Sequence, residues 1–163
     1  MWEPSGAPFN AVPFAAINPE TVDVYRFFDT RTGTQFFTQQ PLEAVPGMVA
    51  EGIGFTAMVR PDGDSAAVHR FFDTNNGSHF FTADPNELET VLLTRPDLKL
   101  ESGTFYEHLQ QAAGDTPVYR FFDSSNGEHV FTASAVERAS ILATRVDLKP
   151  EGVAFYQHGT APL

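Results

Sequence analysis

Residues 68–82, Val-His-Arg-Phe-Phe-Asp-Thr-Asn-Asn-Gly-Ser-His-Phe-Phe-Thr, form the unit from which this chain is built, because close copies begin at Val24 and Val118. The unit is typical of two aromatic-rich β-strands joined by a four-residue turn. Asp73 enters the turn, and its carboxylate can accept hydrogen bonds from turn amides. Gly77 ends the turn and can take the left-handed conformation that bulky residues resist. The sequence therefore predicts three similar β-hairpins.

These copies divide the chain into three repeats, residues 24–58, 68–108 and 118–158, after an extended lead-in over residues 1–23. Each hairpin precedes a helix-start pattern and then a short strand that opens with glutamate. We therefore predict a single domain of class α+β, mainly β, made of three strand-turn-strand-helix-strand repeats. The repeats are expected to surround a pseudo-threefold axis, with the symmetry of a β-trefoil but a short helix in each repeat.

Capping patterns predict where the helices begin. Asp84 is followed by a proline and, three positions on, by Glu87, and residues 134–137 repeat this capping-box spacing. In the first repeat, residues 40–43 start a turn of helix that Pro46 and the next glycine soon end.

The composition excludes several classes of partner. Ten basic against 21 acidic residues give a net charge of −11, which opposes binding to nucleic acid or to an anionic membrane surface. The chain has no cysteine, so disulfides and thiolate metal sites are excluded. No apolar run approaches the roughly 20 residues that span a bilayer, so no membrane insertion is expected. The first residues lack the pattern of an export signal, and we expect a monomeric module of a larger protein.

An arginine on an aromatic strand face is the first candidate for a functional group. Alternation along the paired strands places Arg70, Phe72, His79 and Phe81 on one face of the hairpin. A buried charge needs a partner, and the glutamate that opens the third strand of the repeat, Glu101, is the obvious one. A structural Arg–Glu bridge is the simpler interpretation, and a ligand-facing pair is the alternative.

Four of the five histidines fall at matched places in the second and third repeats, namely His79, His108, His129 and His158. The first repeat carries Gln35 and Met58 instead, which favours a role in sites formed by only some repeats, with simple drift as the alternative. No ligand spacing supports a metal site, and no catalytic motif is present, so we predict neither metal, cofactor nor enzymatic activity. Repetition itself favours binding, because copies of a modest site add avidity.

The combined motifs resemble a repeat domain of unknown function that is common in secreted and cell-surface proteins of bacteria and also occurs in fungi. The resemblance covers about residues 24–158. It rests on Tyr119-Arg120-Phe121-Phe122-Asp123, Asn126-Gly127-Glu128-His129, Phe131-Thr132 and Glu151-Gly152-Val153-Ala154-Phe155-Tyr156. The first repeat departs from the pattern at Gln35 and Thr56. Members look like accessory modules beside cell-wall hydrolases, peptidases or adhesin-like regions, which implies an extracellular or cell-surface location and a binding role towards carbohydrate.

The sequence thus predicts a non-catalytic, lectin-like module that binds a glycan or cell-surface carbohydrate through several related sites. Planar hydrogen-bonding groups beside aromatic faces suit sugars. The predicted ligand-binding residues are Arg70, His79, Glu101 and Tyr106 in the second repeat, Arg120, His129, Glu151 and Tyr156 in the third, and Arg26 and Glu51 in the first. Two alternatives stay open: a protein-binding or spacer module of an adhesin that uses exposed turns such as residues 74–76, and a module in which the turn aspartates bind calcium.

Overall fold

The structure, a computed structural model, describes residues 21–101 and 105–159. In these ranges ten antiparallel strands form one sheet. They are β1 (Thr21–Asp29), β2 (Thr34–Thr38), β3 (Met48–Met58), β4 (Ser65–Asp73), β5 (His79–Thr82), β6 (Leu98–Leu100), β7 (Phe105–His108), β8 (Asp115–Asp123), β9 (His129–Thr132) and β10 (Leu148–His158). Two α-helices, α1 (Pro85–Thr94) and α2 (Ala135–Thr144), follow β5 and β9. Most of the predicted lead-in, residues 1–20, lies outside the described residues.

The three predicted hairpins are present as β1–β2, β4–β5 and β8–β9, hereafter the first, second and third hairpins. In the second hairpin Arg70 pairs with Phe81 and Phe72 with His79, as the turn length predicts. The amide of Gly77 donates to the carbonyl of Asp73 at 2.8 Å, and Gly77 has φ of +77°. A side chain at that angle would be strained, so glycine at this position is a requirement of the turn.

The strands that end the three segments join them at the centre of the sheet. β3 meets β7 where Met58 lies opposite Tyr106, and β7 meets β10 where His108 lies opposite Tyr156. The resulting order is β2-β1-β3-β7-β10-β8-β9, with β4 pairing with β5, β6 and β7.

The hairpins share one aromatic core. Each contributes the same three kinds of buried side chain, which are Val24, Val68 and Val118, then Phe37, Phe81 and Phe131, then Phe55, Phe105 and Phe155 from the closing strands. Burying one such phenylalanine contributes about 2 to 3 kcal/mol. Two smaller clusters lie under the helices, with Val91 of α1 packed on Phe71 and Ile141 of α2 packed on Phe121. Both faces of the second and third hairpins are therefore covered.

The predicted fold class is wrong. The described residues contain only two α-helices, because the connection of residues 39–47 in the first segment makes a single 3-10 turn, Pro41–Glu43, before Gly47 and β3. The described residues form a mostly-β fold with one antiparallel ten-stranded sheet, and three helix-bearing repeats around a trefoil-like axis are not found among them.

Candidate functional site

Neighbouring hairpins meet at three junctions, each of which holds one arginine. We name them the Arg70 junction, between the first and second hairpins, the Arg120 junction, between the second and third, and the Arg26 junction, between the third and first. The three arginine side chains are only 13 to 15% exposed. Such nearly buried guanidinium groups need carboxylate partners.

At the Arg70 junction the guanidinium contacts carboxylates from two segments. Nε lies 3.0 Å from Glu101 Oε1, and Nη2 lies 3.2 Å from Glu43 Oε1. Nη1 donates to the carbonyl of Phe37 at 3.0 Å. His79 Nε2 lies 2.9 Å from Glu101 Oε1, so three of the four residues predicted for this repeat converge. Burial opposes ionisation of Glu101, but His79 and Arg70 outweigh it and lower its pKa.

At the Arg120 junction the arrangement is tighter. Arg120 forms two parallel hydrogen bonds to Glu87 of α1, at 2.7 and 2.9 Å, and Nε donates to Glu151 at 2.8 Å. His129 Nε2 lies 3.3 Å from the same oxygen of Glu151. Burial raises the pKa of Glu87, but the bonds from Arg120 outweigh it, so the net pKa is lowered. A bidentate arginine–carboxylate pair fixes the relative orientation of the two side chains and also compensates their charges.

At the Arg26 junction the same pattern appears with one substitution. Arg26 binds Glu137 of α2 through two hydrogen bonds of 2.6 and 2.8 Å, and its Nε lies 3.3 Å from Glu51. Gln35 stands where the other hairpins have histidine, and its amide donates to Glu51 at 3.3 Å. The predicted Arg–Glu bridge within a segment is therefore present at all three junctions. The ligand-binding role of these residues stays a prediction.

Sequence analysis missed the carboxylates that bridge different segments, Glu43, Glu87 and Glu137. It assigned Glu87 and Glu137 to capping boxes. The N-cap half of that prediction is confirmed, since Asp84 and Ser134 accept hydrogen bonds from amides of the first helical turn. The glutamate side chains turn outward to the arginines instead. The sequence contained a signal for this role, because a matching glutamate, Glu43, is present in the first segment, which has no α-helix to cap.

The two predicted tyrosines lie elsewhere. Tyr106 and Tyr156 sit where the closing strands meet, opposite Met58 and His108, and both are partly buried. Within residues 21–101 and 105–159, no contact joins either ring to the Arg–His–Glu groups. The structure thus separates the tyrosines from the rest of the predicted sites.

Clefts open beside these arginines. The cleft at the Arg70 junction has a volume of about 330 Å³ and is lined by Arg70, Glu43, Glu101, Thr38, Gln39 and Gln40, with the buried rings of Phe37 and Phe81 beneath them. The side-chain nitrogen of Gln39 is buried and has no hydrogen-bond partner. The cleft beside Arg120 is smaller, about 200 Å³. The Arg70 cleft therefore combines room with an unused hydrogen-bonding group.

A second polar cluster surrounds His108. Its Nδ1 lies 2.6 Å from Asp115 and its Nε2 lies 2.7 Å from Asp62. Burial disfavours the charged imidazole, but the two aspartates outweigh burial and raise the pKa of His108. His158 lies 3.5 Å from Asp115, so both remaining matched histidines belong to this cluster rather than to the arginine junctions. In the described parts of the chain, no three His, Asp or Glu side chains are placed to hold a metal ion.

The turn aspartates perform the structural task that their position predicts. Asp73 Oδ1 accepts from the amide of Asn75 at 2.9 Å, and Asp123 Oδ1 accepts from Ser125 at 2.8 Å. Asp29 also forms an ion pair with Arg31 at 2.7 Å. These contacts give the turn aspartates a structural role, and the calcium alternative stays a prediction.

A β-rich module whose hairpins are cross-linked by arginine–glutamate pairs is the class that this fold and these junctions define. The chain belongs to the family described as a domain of unknown function, DUF5648, whose model matches residues 43–158. The resemblance to a domain of unknown function is thereby confirmed. No curated protein and no solved structure matched the chain. Neither described α-helix has the length and hydrophobicity needed to cross a bilayer.

Proposed function

We propose that the protein is a non-catalytic module that binds carbohydrate, with the cleft at the Arg70 junction as its main site. One observation carries the proposal. The side-chain nitrogen of Gln39, which has no hydrogen-bond partner, lines that cleft together with the guanidinium of Arg70 and the carboxylate of Glu101. Sugars present many hydroxyl groups, and a site of this composition offers hydrogen-bonding partners for them.

The groups around the cleft retain hydrogen-bonding capacity. Glu43 is 41% exposed and Glu101 is 32% exposed, so both side chains are partly open to solvent. Gln40 is exposed at the mouth. The volume of about 330 Å³ lies at the lower end of the range for ligand pockets. The cleft therefore suits a short saccharide segment rather than a large ligand.

The other predicted sites are weaker candidates. Arg120 is engaged by both oxygens of Glu87 and by Glu151, and its cleft is about 200 Å³. A sugar there would have to displace short, charge-assisted hydrogen bonds. The proposal accordingly ranks the Arg70 junction above the Arg120 junction, where the sequence favoured both alike.

The proposal includes an extracellular or cell-surface location. Its support is the resemblance of the Arg-Phe-Phe-Asp and Glu-Gly motifs to domains of secreted and surface proteins. A glycan ligand and an extracellular location are consistent with each other, since cell-wall and surface carbohydrates are met there.

Isothermal titration of the whole chain with oligosaccharides of N-acetylglucosamine, mannose and galactose tests the proposal. The informative variant is Gln39→Ala, because the matching positions of the other segments are Ala83 and Ala133 and the fold accepts alanine there. We expect millimolar or tighter binding that weakens about fivefold in Gln39→Ala, the loss of about one hydrogen bond. The exposed Gln110→Ala variant is the matched control. Absence of binding at millimolar sugar, or equal binding by wild type and Gln39→Ala, would overturn the proposal.

A protein-binding or spacer role is the second candidate, and one observation favours it. Leu93 at the end of α1 is 76% exposed, and Leu92 beside it in the sequence is 58% exposed. Apolar side chains grouped on a surface mark protein contacts. Loss of attachment to cells in a Leu93→Ser variant, with no saccharide competing, would favour this candidate over carbohydrate binding.

A further inference from the structure

Two of the three junctions are filled by a pair of aromatic rings. At the Arg70 junction Phe36 meets His79 with ring centroids 4.8 Å apart, and at the Arg120 junction Phe80 meets His129 at the same distance. Arg120 also lies over the ring of Phe80, 5.3 Å from its centroid. At both junctions the rings occupy the space between neighbouring hairpins.

The Arg26 junction lacks this pair. The position that holds Phe36 and Phe80 in the other hairpins holds Val130 in the third, and the histidine position holds Gln35 in the first. Neither replacement has a ring. A cleft of about 480 Å³ is open here, larger than the clefts beside Arg70 and Arg120.

This cleft, hereafter the ring-gap cleft, has an apolar floor and an acidic wall. The floor is made by Phe28, Val130, Ile141 and Leu148, and the wall includes Glu128. Glu128 is 5% exposed, and its Oε2 accepts from the amide of Gln35 at 2.9 Å. The side-chain oxygen of Gln35 is buried without a hydrogen-bond partner. The other oxygen of Glu128, Oε1, accepts only a 3.5 Å hydrogen bond from Asn126, so this oxygen and the side-chain oxygen of Gln35 lack a strong donor.

The charges around the ring-gap cleft favour a cation. Its lining contains four carboxylates, Glu51, Asp123, Glu128 and Glu137, and two guanidinium groups, Arg26 and Arg145. Arg26 is paired with Glu137, and Arg145 is paired with Asp147 at 2.7 Å. No arginine or lysine of the described residues forms an ion pair with Glu128, and Arg145 attracts it only at longer range, so its carboxylate is the acceptor left for a positively charged ligand.

We propose that the ring-gap cleft binds a small planar cation, an aromatic ring that carries protonated N–H donors. The ring takes the space that Phe and His fill at the other junctions, and its N–H groups donate to Glu128 and to the unpartnered oxygen of Gln35. The ring-gap cleft shares no lining residue with the Arg70 cleft, so this proposal is independent of the carbohydrate proposal.

Three probes of one shape test the charge requirement on the whole chain: benzamidine, neutral benzamide and anionic benzoate. Two-dimensional ¹⁵N NMR gives both the affinity and the location. We expect benzamidine to shift the amides of Gln35, Glu128 and Val130, and to bind about tenfold more tightly than benzamide. Benzoate should cause no shift there. Binding of benzoate as tight as that of benzamidine, absence of any shift at millimolar benzamidine, or shifts confined to other residues would overturn the proposal.

Two variants test the location. The double substitution Gln35→His with Val130→Phe rebuilds the ring pair found at the other junctions, and it should abolish benzamidine binding while leaving the rest of the spectrum dispersed. Glu128→Gln keeps the shape of the side chain and should weaken benzamidine about tenfold while leaving benzamide unchanged. The second variant decides the matter if the first does not fold. Unchanged benzamidine affinity in either folded variant would refute the site.

Discussion

Replacing Glu107 with glutamine should remove a pH-dependent contribution that lowers the free energy of unfolding. Glu107 lies in β7, its side chain is fully buried, and neither carboxyl oxygen has a hydrogen-bond partner. Burial, assisted by the charge of Asp115, raises its pKa to about 10. The folded protein therefore holds a proton on Glu107 at neutral pH, whereas the unfolded chain does not. Gln157 is fully buried at the matching position of β10, so an amide has a precedent in this environment.

The magnitude follows from proton linkage. The ordinary pKa of this carboxyl is 4.5, so between about pH 5 and about pH 10 folding must take up one proton at Glu107. Since only the folded state binds that proton, stability falls as pH rises through this window, by about 1.4 kcal/mol per pH unit. Glutamine does not titrate. The free energy of unfolding of Glu107→Gln, relative to wild type, should thus increase by about 3 kcal/mol from pH 5.5 to pH 7.5.

Urea denaturation followed by far-ultraviolet circular dichroism at several pH values measures this difference directly. Because the comparison uses the change of the free energy of unfolding with pH, any pH-independent cost of burying the amide cancels. Glu89→Gln on the exposed face of α1 is the matched control, and its pH dependence should parallel that of wild type. Parallel curves for wild type and Glu107→Gln would refute the reasoning, as would a wild type that gains stability with pH relative to the variant, because either result means that Glu107 is ionised in the fold.

Three further predictions concern the junctions, the histidine cluster and the turns. A double-mutant cycle of Arg120→Ala and Glu87→Ala should give a coupling of about 2 kcal/mol in urea denaturation, and less than about 0.5 kcal/mol would contradict the cross-link. In an NMR titration His108 should lose its proton at a pH above 6.5, the ordinary pKa of histidine. The stability that its charged form adds is complete below pH 6.5 and is lost as the pH rises through the pKa of the folded state. Titration below pH 6.5 would contradict this prediction. Gly77→Ala, at φ of +77°, should cost about 1 to 2 kcal/mol in denaturation, whereas Gly63→Ala, with open space around it, should cost much less; equal costs would exclude backbone strain.

The hairpins were predictable because their determinants are local. Asp73, Gly77 and the strand alternation lie within a dozen residues, and turn length alone fixes the register. The partner of Arg70 within its own segment, Glu101, was also predictable, since a charge on an aromatic face requires compensation. Local sequence patterns therefore predicted the contacts within each segment.

Contacts between segments were not predictable in the same way. Arg26 binds Glu137 across 111 positions of sequence, and a glutamate three residues after an N-cap satisfies a purely local pattern. The prediction of a trefoil-like arrangement was wrong for a related reason. Similar motifs predict similar hairpins, but the length of the connections decides whether a helix forms, and residues 39–47 leave room only for a 3-10 turn.

The ring-gap cleft shows where comparison of the copies carries information that each copy alone does not. The exchange of histidine for Gln35 was visible in the sequence, where it favoured sites formed by only some repeats, with drift as the alternative. The exchange at Val130 was not noted. Only the structure places the two positions against each other, where the missing rings leave an open cleft.

The most direct test of the binding account is a ¹⁵N NMR titration of the whole chain with the N-acetylglucosamine, mannose and galactose oligosaccharides. The account predicts that at least one saccharide shifts the amides of Gln39, Gln40 and Arg70 at millimolar concentration, and that Gln39→Ala reduces those shifts. A spectrum that no saccharide changes, or changes confined to surfaces away from the Arg70 junction, would contradict it.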